Sequence, residues 1–436
     1  MATDPIIYAL AHVIPGKEQG RPGPERAYGE LLFVLYMALT GAVGSHRRAA
    51  RILGHPDHWI ATRTAASQRG FALPAQPPRR WNCEDARRRV LRVQGRQTPD
   101  TGLTEKLRAR AAALWCERAH KHGALADGNR SNVDPARGNT VYGDGKVTSS
   151  MFGPKARRAR RAAGQKVDGS THVQGGDNGT STHGLKFMHV GVRPNDRPNS
   201  RLILDMRYVP HSGYGGEAGI AVDALLDLAA REPGANTLCY DGALRGTHLQ
   251  ALTDAGYLVF SPPHRSTAKP HALETITACA CGDTHRLMTV DGYIAERAIT
   301  DTGTTTDIRC TLLKLSANRR QNSHAWYLEV ELSCGNLRRF RVNKPSADGP
   351  LRIERLRQAA KDESDDSAVY NRIYGRREDA ESVNNILERT LHGGRSISPS
   401  AIGQFLVMVG HALARNAYTE LLWQRDHAES PPPIAA

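Results

Sequence analysis

From residue 140 the chain reads as three consecutive strands, then helix, strand, helix, strand. This order constrains its fold more than any other feature. The predicted strands are 140–142, 185–192, 202–209, 237–240 and 257–260. A helix over 217–231 places Ile220, Ala224, Leu225 and Leu228 at helical spacing, and a second covers 247–255. Strict strand–helix alternation would give a doubly wound parallel sheet. Three strands in a row give a mixed α/β sheet instead. Segment 265–345 departs from the pattern. It is rich in Thr and β-branched residues, as in 304–315 and 326–334, and reads as a β-rich insertion. Two helices follow, over 376–391 and 399–423, with an acidic loop at 361–366 before them.

The first part of the chain is helical. An apolar helix over 30–42 precedes a short one opening at Ser45, a plausible N-cap. Gly54 and Pro56 break it, and another runs over 57–68, so the pair resembles a helix-turn-helix. The second helix of that pair would present Thr62, Arg63, Thr64 and Gln68. A Pro-rich linker at 71–82 and helices over 84–93 and 103–121 come next. A Gly/Asn/Asp-rich stretch at 122–139 marks a boundary. The expected organisation is a helix-turn-helix-like DNA-binding region over 1–70, a helical region and linker over 71–139, and an α/β core in two parts, 140–264 and 351–428. A β-rich insertion at 265–350 separates the parts, and a disordered tail occupies 429–436.

Charge supports a polyanionic partner. Residues 1–166 carry 29 basic and 13 acidic groups, net +16, whereas the other 270 carry 30 and 31, net −1. The whole excess therefore lies in the first part, and 48 of the 59 basic residues are Arg, whose fork matches phosphate oxygens. Nucleic acid is the simplest such partner, and the helix-turn-helix-like pair points to double-stranded DNA. No apolar run reaches the roughly 18 residues of a membrane span. The N-terminus lacks a basic segment followed by an apolar block, so no signal peptide is expected. An odd count of 7 cysteines argues against a secreted disulfide scaffold. A cytoplasmic, nucleoid-associated protein is the expectation.

Two predicted strand ends look alike: Val141-Tyr142-Gly143-Asp144-Gly145 and Leu238-Cys239-Tyr240-Asp241-Gly242. Asp-Gly after a strand is usually a turn. Neighbouring strands would nevertheless bring the two carboxylates together, and facing carboxylates repel unless a cation lies between them. Oxygen-only ligation suits Mg²⁺. A third acidic group comes from the 376–391 helix. There Tyr374, Arg377, Glu381, Asn385 and Glu388 fall on one face by i+3 and i+4 spacing.

Together these three elements resemble the DDE cut-and-paste insertion-sequence transposases, bacterial enzymes of DNA recombination with an RNase H-like fold. Tyr374, Arg377 and Glu381 match the family's Tyr-x2-Arg-x3-Glu-x6-Lys signature, while Glu388 stands where the signature has Lys. The resemblance covers about residues 140–425, including a β-rich insertion before the Glu helix. It implies that Asp144, Asp241 and Glu381 hold two Mg²⁺ ions, with Mn²⁺ able to substitute. Those ions would serve hydrolysis at transposon ends and 3′-OH strand transfer into target DNA. It also implies that Tyr374 and Arg377 hold DNA near the cut, and that a homodimer brings two ends together. The basic run containing Arg157, Arg158, Arg160 and Arg161 would track phosphates, as Arg63 would in the N-terminal region. Two alternatives remain open: a catalytically inactive, transposase-derived DNA-binding protein, and an RNase H-like structure-selective DNA nuclease.

Cys279, Cys281 and His285 precede Cys310 and Cys334 in the insertion. Three of these cysteines with His285 or His324 could make a structural Zn²⁺ site. Cys-x-Cys is not the favoured Cys-x2-Cys spacing, however, and buried reduced cysteines are the commoner outcome. Cys83, Cys116 and Cys239 read as core.

Overall fold

A computed structural model describes residues 1–17, 27–128, 131–174, 180–211, 215–299, 303–320, 323–344, 349–358 and 368–428. The expected acidic loop at 361–366 and tail at 429–436 lie outside the described residues. The elements, in order, are α1 (Pro5–Ala11), α2 (Leu31–Val43), α3 (His46–Leu53), α4 (Pro56–Ser67), α5 (Arg80–Gln94), α6 (Gly102–Lys121), β1 (Thr140–Ser149), α7 (Pro154–Ala162), β2 (Ser170–Gln174), β3 (Thr180–Val192), β4 (Leu202–Val209), α8 (Gly216–Arg231), β5 (Thr237–Cys239), α9 (Gly246–Ala255) and β6 (Leu258–Phe260). Then come β7 (His271–Ile276), β8 (His285–Val290), β9 (Tyr293–Ile299), β10 (Thr305–Arg309), β11 (Thr311–Arg319), β12 (His324–Glu331), β13 (Leu337–Arg341), α10 (Gly349–Arg355), α11 (Ala368–Tyr374), α12 (Glu378–Thr390) and α13 (Ala401–Ala428). The molecule is mixed α/β, with mostly antiparallel sheets. No helix among the described residues is long and apolar enough to cross a membrane.

Two compact units are discontinuous in sequence. The first is Met1–His122, Gly145–Gly216 and Ala380–Ala436; the second is Gly123–Asp144 and Glu217–Asp379.

In the first unit α2 is enclosed, as its apolar sequence implies, and packs along α13. Small residues set this crossing. A Cβ on Gly41 would lie 2.0 Å from the backbone nitrogen of His411, and one on Gly410 would lie 2.1 Å from the carbonyl oxygen of Met37. Only glycine permits backbones this close. Beside them β4 runs antiparallel to β3, and β3 antiparallel to β2. Asn416 on α13 clamps β4: its Oδ1 accepts from the Ile203 N–H at 2.9 Å and its Nδ2 donates to the Ile203 carbonyl at 2.7 Å. Arg108 on α6 reaches the same strand and donates to both carboxylate oxygens of buried Asp205, at 2.7 and 2.8 Å.

Ser45 caps α3 by accepting from the Arg48 N–H. The expected presentation on α4 differs from what is found. Thr62 is buried, with its hydroxyl donating to the His58 carbonyl at 2.8 Å. Arg63 is half-buried and donates through Nε to the Leu73 carbonyl. A short α4 must bury Trp59, Ala65 and Ala66, and Thr62 shares their stripe. The exposed arginines of this helix pair are Arg47, Arg48 and Arg51 on α3.

In the second unit the start of β1 pairs in parallel with β5, and β5 in parallel with β6. Helices α8 and α9 supply the crossovers. Tyr257 ties them in by donating its hydroxyl to the Leu225 carbonyl at 2.9 Å. Gln358 closes the β6 edge with its side-chain amide: Oε1 accepts from the Val259 N–H, and Nε2 donates to the Tyr257 carbonyl. The insertion folds as two antiparallel sheets, β10-β9-β8-β7 and β11-β12-β13. Trp326 of β12, fully buried, donates its indole N–H to the Thr253 carbonyl of α9 at 2.9 Å.

Candidate active site

The parallel register of β1 and β5 builds the site. Thr140 pairs with Thr237, Val141 with Leu238 and Tyr142 with Cys239. Asp144 lies two residues beyond Tyr142, and Asp241 two beyond Cys239. The two carboxylates therefore leave neighbouring strands at the same level and on the same side, because side-chain direction has a period of two. Parallel strands are joined by a crossover rather than a tight turn, so Thr140 and Thr237 pair although 97 positions separate them (237 − 140).

A third carboxylate joins them. Glu217, in the first turn of α8, places a carboxylate oxygen with those of Asp144 and Asp241, all within 4.8 Å of one another. The three residues are half-buried. Beneath them Tyr240, fully buried, donates its hydroxyl to Glu217 Oε1 at 3.1 Å. Burial raises the Tyr240 phenol well above its usual range, and the charges of Glu217, Asp241 and Asp144 add to the rise. It therefore stays protonated and remains a donor. The Ala243 N–H donates to Asp241 Oδ1 at 3.0 Å, fixing the carboxylate in its turn. Ser261 donates to the Asp241 carbonyl at 3.1 Å, and buried Arg357 in turn donates to the Ser261 carbonyl at 3.2 Å.

Three carboxylates this close repel unless protons or cations sit among them. Their donor set is all oxygen, which fits a hard divalent ion such as Mg²⁺ or Mn²⁺. The sequence points to Asp144 and Asp241, and the structure brings them together. It misses Glu217. The one available signal was an acidic residue opening the helix that returns from the third predicted strand to the fourth.

Tyr374, Arg377 and Glu381 do not share one helix, contrary to the spacing argument. Tyr374 ends α11, Gly375–Arg377 form a 3-10 turn, and α12 begins at Glu378. Gly375 explains the break, since glycine is a poor helix former. Within the second unit, Cys239 donates its thiol to the Ile373 carbonyl at 3.0 Å, which fastens this segment beside the end of β5. Tyr374 stacks on Tyr370 with ring centroids 5.5 Å apart and hydrogen-bonds the Arg377 side chain. Burial raises the Tyr374 phenol and the charge of Asp241 adds to this, while Arg377 opposes it. Arg376 donates to the Pro135 carbonyl and to Thr140 Oγ1 at 2.8 and 2.6 Å, anchoring the turn to the start of β1. Glu381 is exposed on the part of α12 that belongs to the first unit. In that unit Glu388 pairs with Lys146 at 3.0 Å.

The basic run at 154–162 forms α7, a helix with no buried residue. Arg157 donates to the Phe152 carbonyl at 2.8 Å, Arg160 lies 4.3 Å from the centre of the Phe152 ring, and Arg161 donates to the Val167 carbonyl. Arg158 is exposed. Cys83, Cys116 and Cys239 are buried, as the sequence implies. Cys279, Cys281, His285 and Cys334 come together in the second unit, and His324 is not among them.

No protein-family model matches the chain, and no curated protein or solved structure matches it either.

Proposed function

We propose that the chain is a metal-dependent DNA transposase of the DDE type, acting through Asp144 and Asp241. One observation carries this reading: the β1–β5 register that sets the two carboxylates side by side, with Glu217 beside them. Strand pairing supports an RNase H-like core. An antiparallel β3–β4 pair in the first unit and parallel β1–β5 and β5–β6 pairs in the second give the mixed pairing of such a core. The basic first part of the chain and the arginines of α3 and α7 support DNA as partner.

Asp144, Asp241 and Glu217 would hold the divalent ions. Such ions activate a water or a 3′-OH and stabilise the oxygen that leaves phosphorus. The chain's own groups prepare that geometry. The Ala243 N–H orients Asp241, and the Tyr240 hydroxyl orients Glu217. Arg377, held by Tyr374, supplies a fork for a phosphate beside the strand ends. Glu381 is assigned here by the Tyr-x2-Arg-x3-Glu resemblance alone.

A second reading, a structure-selective nuclease, is favoured by the same cluster, because three carboxylates assemble without Glu381. Purified protein incubated with the DNA flanking its gene, in Mg²⁺ or Mn²⁺, separates the readings. The transposase makes discrete end cuts and joined products, and Asp241→Ala and Glu381→Gln abolish both. Cutting without joining, and insensitive to Glu381→Gln, establishes the nuclease. Binding without cutting by the wild type overturns both.

A further inference from the structure

We infer that Cys279, Cys281, His285 and Cys334 form a closed structural zinc site that ties together the two sheets of the insertion. This does not rest on the proposed function.

The four residues come from two hairpin tips. Cys279 and Cys281 lie in the β7–β8 turn, His285 opens β8, and Cys334 lies in the β12–β13 turn of the other sheet. Their donor atoms all fall within 4.8 Å of one another. Tetrahedral zinc with bonds of about 2.3 Å to sulfur requires sulfurs about 3.8 Å apart. Cys279 and Cys334 Sγ are 3.8 Å apart. A disulfide needs about 2.0 Å. Cys281 Sγ lies 3.1 Å from His285 Nε2, so a shift of about half an ångström admits an ion between them.

The surroundings suit ligands rather than packing. Cys83, Cys116 and Cys239 are fully buried, whereas Cys281 is exposed and Cys279 and Cys334 are half-exposed. His285 is buried and turns Nε2 toward the sulfurs, because its Nδ1 is bound by Glu296 Oε1 at 2.5 Å. This carboxylate–histidine arrangement fixes the tautomer of a zinc-bound imidazole. Glu296 is itself held by the Ser333 N–H and hydroxyl, at 3.0 and 2.9 Å, next to Cys334 in the chain. Asn336 Nδ2 points at the sulfurs of Cys279 and Cys334, at 3.2 and 3.3 Å, and the Asp283 N–H points at Cys281 at 3.4 Å. Donors aimed at sulfur stabilise thiolates, the form that binds metal. Three sulfurs and one nitrogen fill a tetrahedron and leave no open position, which is the structural class of site.

The test is the metal content of the full chain, purified under reducing conditions without chelator. The expected result is one zinc per chain, lost in Cys279→Ser, Cys281→Ser and Cys334→Ser. Should a variant fail to fold, cobalt exchanged into the wild type still decides. Tetrahedral ligand-field bands with charge transfer from three thiolates are expected. Glu296→Gln should retain the metal but weaken it about 10- to 100-fold in chelator competition. Wild-type protein that takes up neither zinc nor cobalt overturns the inference. So does a Cys279–Cys334 disulfide in freshly purified protein, or a Cys281→Ser variant that keeps its zinc undiminished.

Discussion

The second unit gathers two clusters of metal-competent side chains, and they are built in opposite ways. Asp144 and Asp241 meet because two parallel strands share a register, with Glu217 arriving from a helix start. Cys279, Cys281 and His285 meet because they are close in sequence, with Cys334 arriving from a second hairpin. The oxygen cluster offers hard ligands from the middle of β1, the end of β5 and the first turn of α8. The sulfur–nitrogen cluster offers a complete soft tetrahedron at hairpin tips. One unit therefore holds an all-oxygen donor set and a sulfur–nitrogen donor set, which suit different metals.

Removing ligands one cluster at a time sharpens this contrast. Asp144→Asn or Asp241→Asn should lower metal-dependent DNA cleavage well beyond a hundredfold, since loss of an outer-sphere partner alone costs about 10- to 100-fold. Zinc content should not change. A gel assay with parallel elemental analysis checks both, and cleavage by the variants at wild-type rates would break the comparison.

Cys334→Ser should do the reverse. It should lower the melting temperature relative to the wild-type chain and increase proteolysis within 265–345, because structural zinc contributes directly to folding. Limited proteolysis with and without a zinc chelator reads this out. Equal protection in both would mean that β7–β13 stand without the metal.

Glu217 separates the active-site readings. Glu217→Gln keeps size and removes one charge, so cleavage should fall about tenfold or more and require higher Mg²⁺. Tyr240→Phe should have a smaller effect in the same direction, a several-fold rise in the Mg²⁺ needed for half-maximal cleavage. It leaves Asp144 and Asp241 in place and removes only the hydroxyl that orients Glu217. Magnesium titrations of the two variants check the order.

The smallest expected effect lies outside both clusters. His189 and His411 of the first unit are buried, and desolvation pushes each down to about 4 from 6.5. Both rings are neutral in the folded and unfolded chain above pH 6.5, so the full stability is present there and is lost as pH falls from there toward 4. Thermal melts of chelated protein at pH 7 and pH 5 should differ, and His411→Gln should reduce the difference.

Much of the fold was legible where local pattern decides it. The strands expected over 202–209, 237–240 and 257–260 recur in β4, β5 and β6 within a residue or so, because each is a short apolar run bounded by turn residues. The pairing of Asp144 with Asp241 was legible in the matching Asp-Gly motifs, although β1 continues past Asp144 to Ser149, so only Asp241 follows a strand end. Glu217 was not, because helix orientation against the sheet, rather than its own spacing, brings it in. The helix expected through Tyr374 and Glu381 fails at Gly375, a visible breaker that the i+3 and i+4 matches overrode. The sulfur cluster was half legible. Cys-x-Cys spacing argued against zinc, while the decisive partner, Cys334, is 55 residues from Cys279 and joins through the fold.

The central claim is that strand register makes a divalent-cation site of Asp144, Asp241 and Glu217. Titration of Mn²⁺ into the full chain, followed by its paramagnetic resonance signal, tests this most directly. The account predicts saturable binding that Mg²⁺ displaces and that Asp144→Asn with Asp241→Asn abolishes. Equal Mn²⁺ binding by the wild type and the double variant would contradict it.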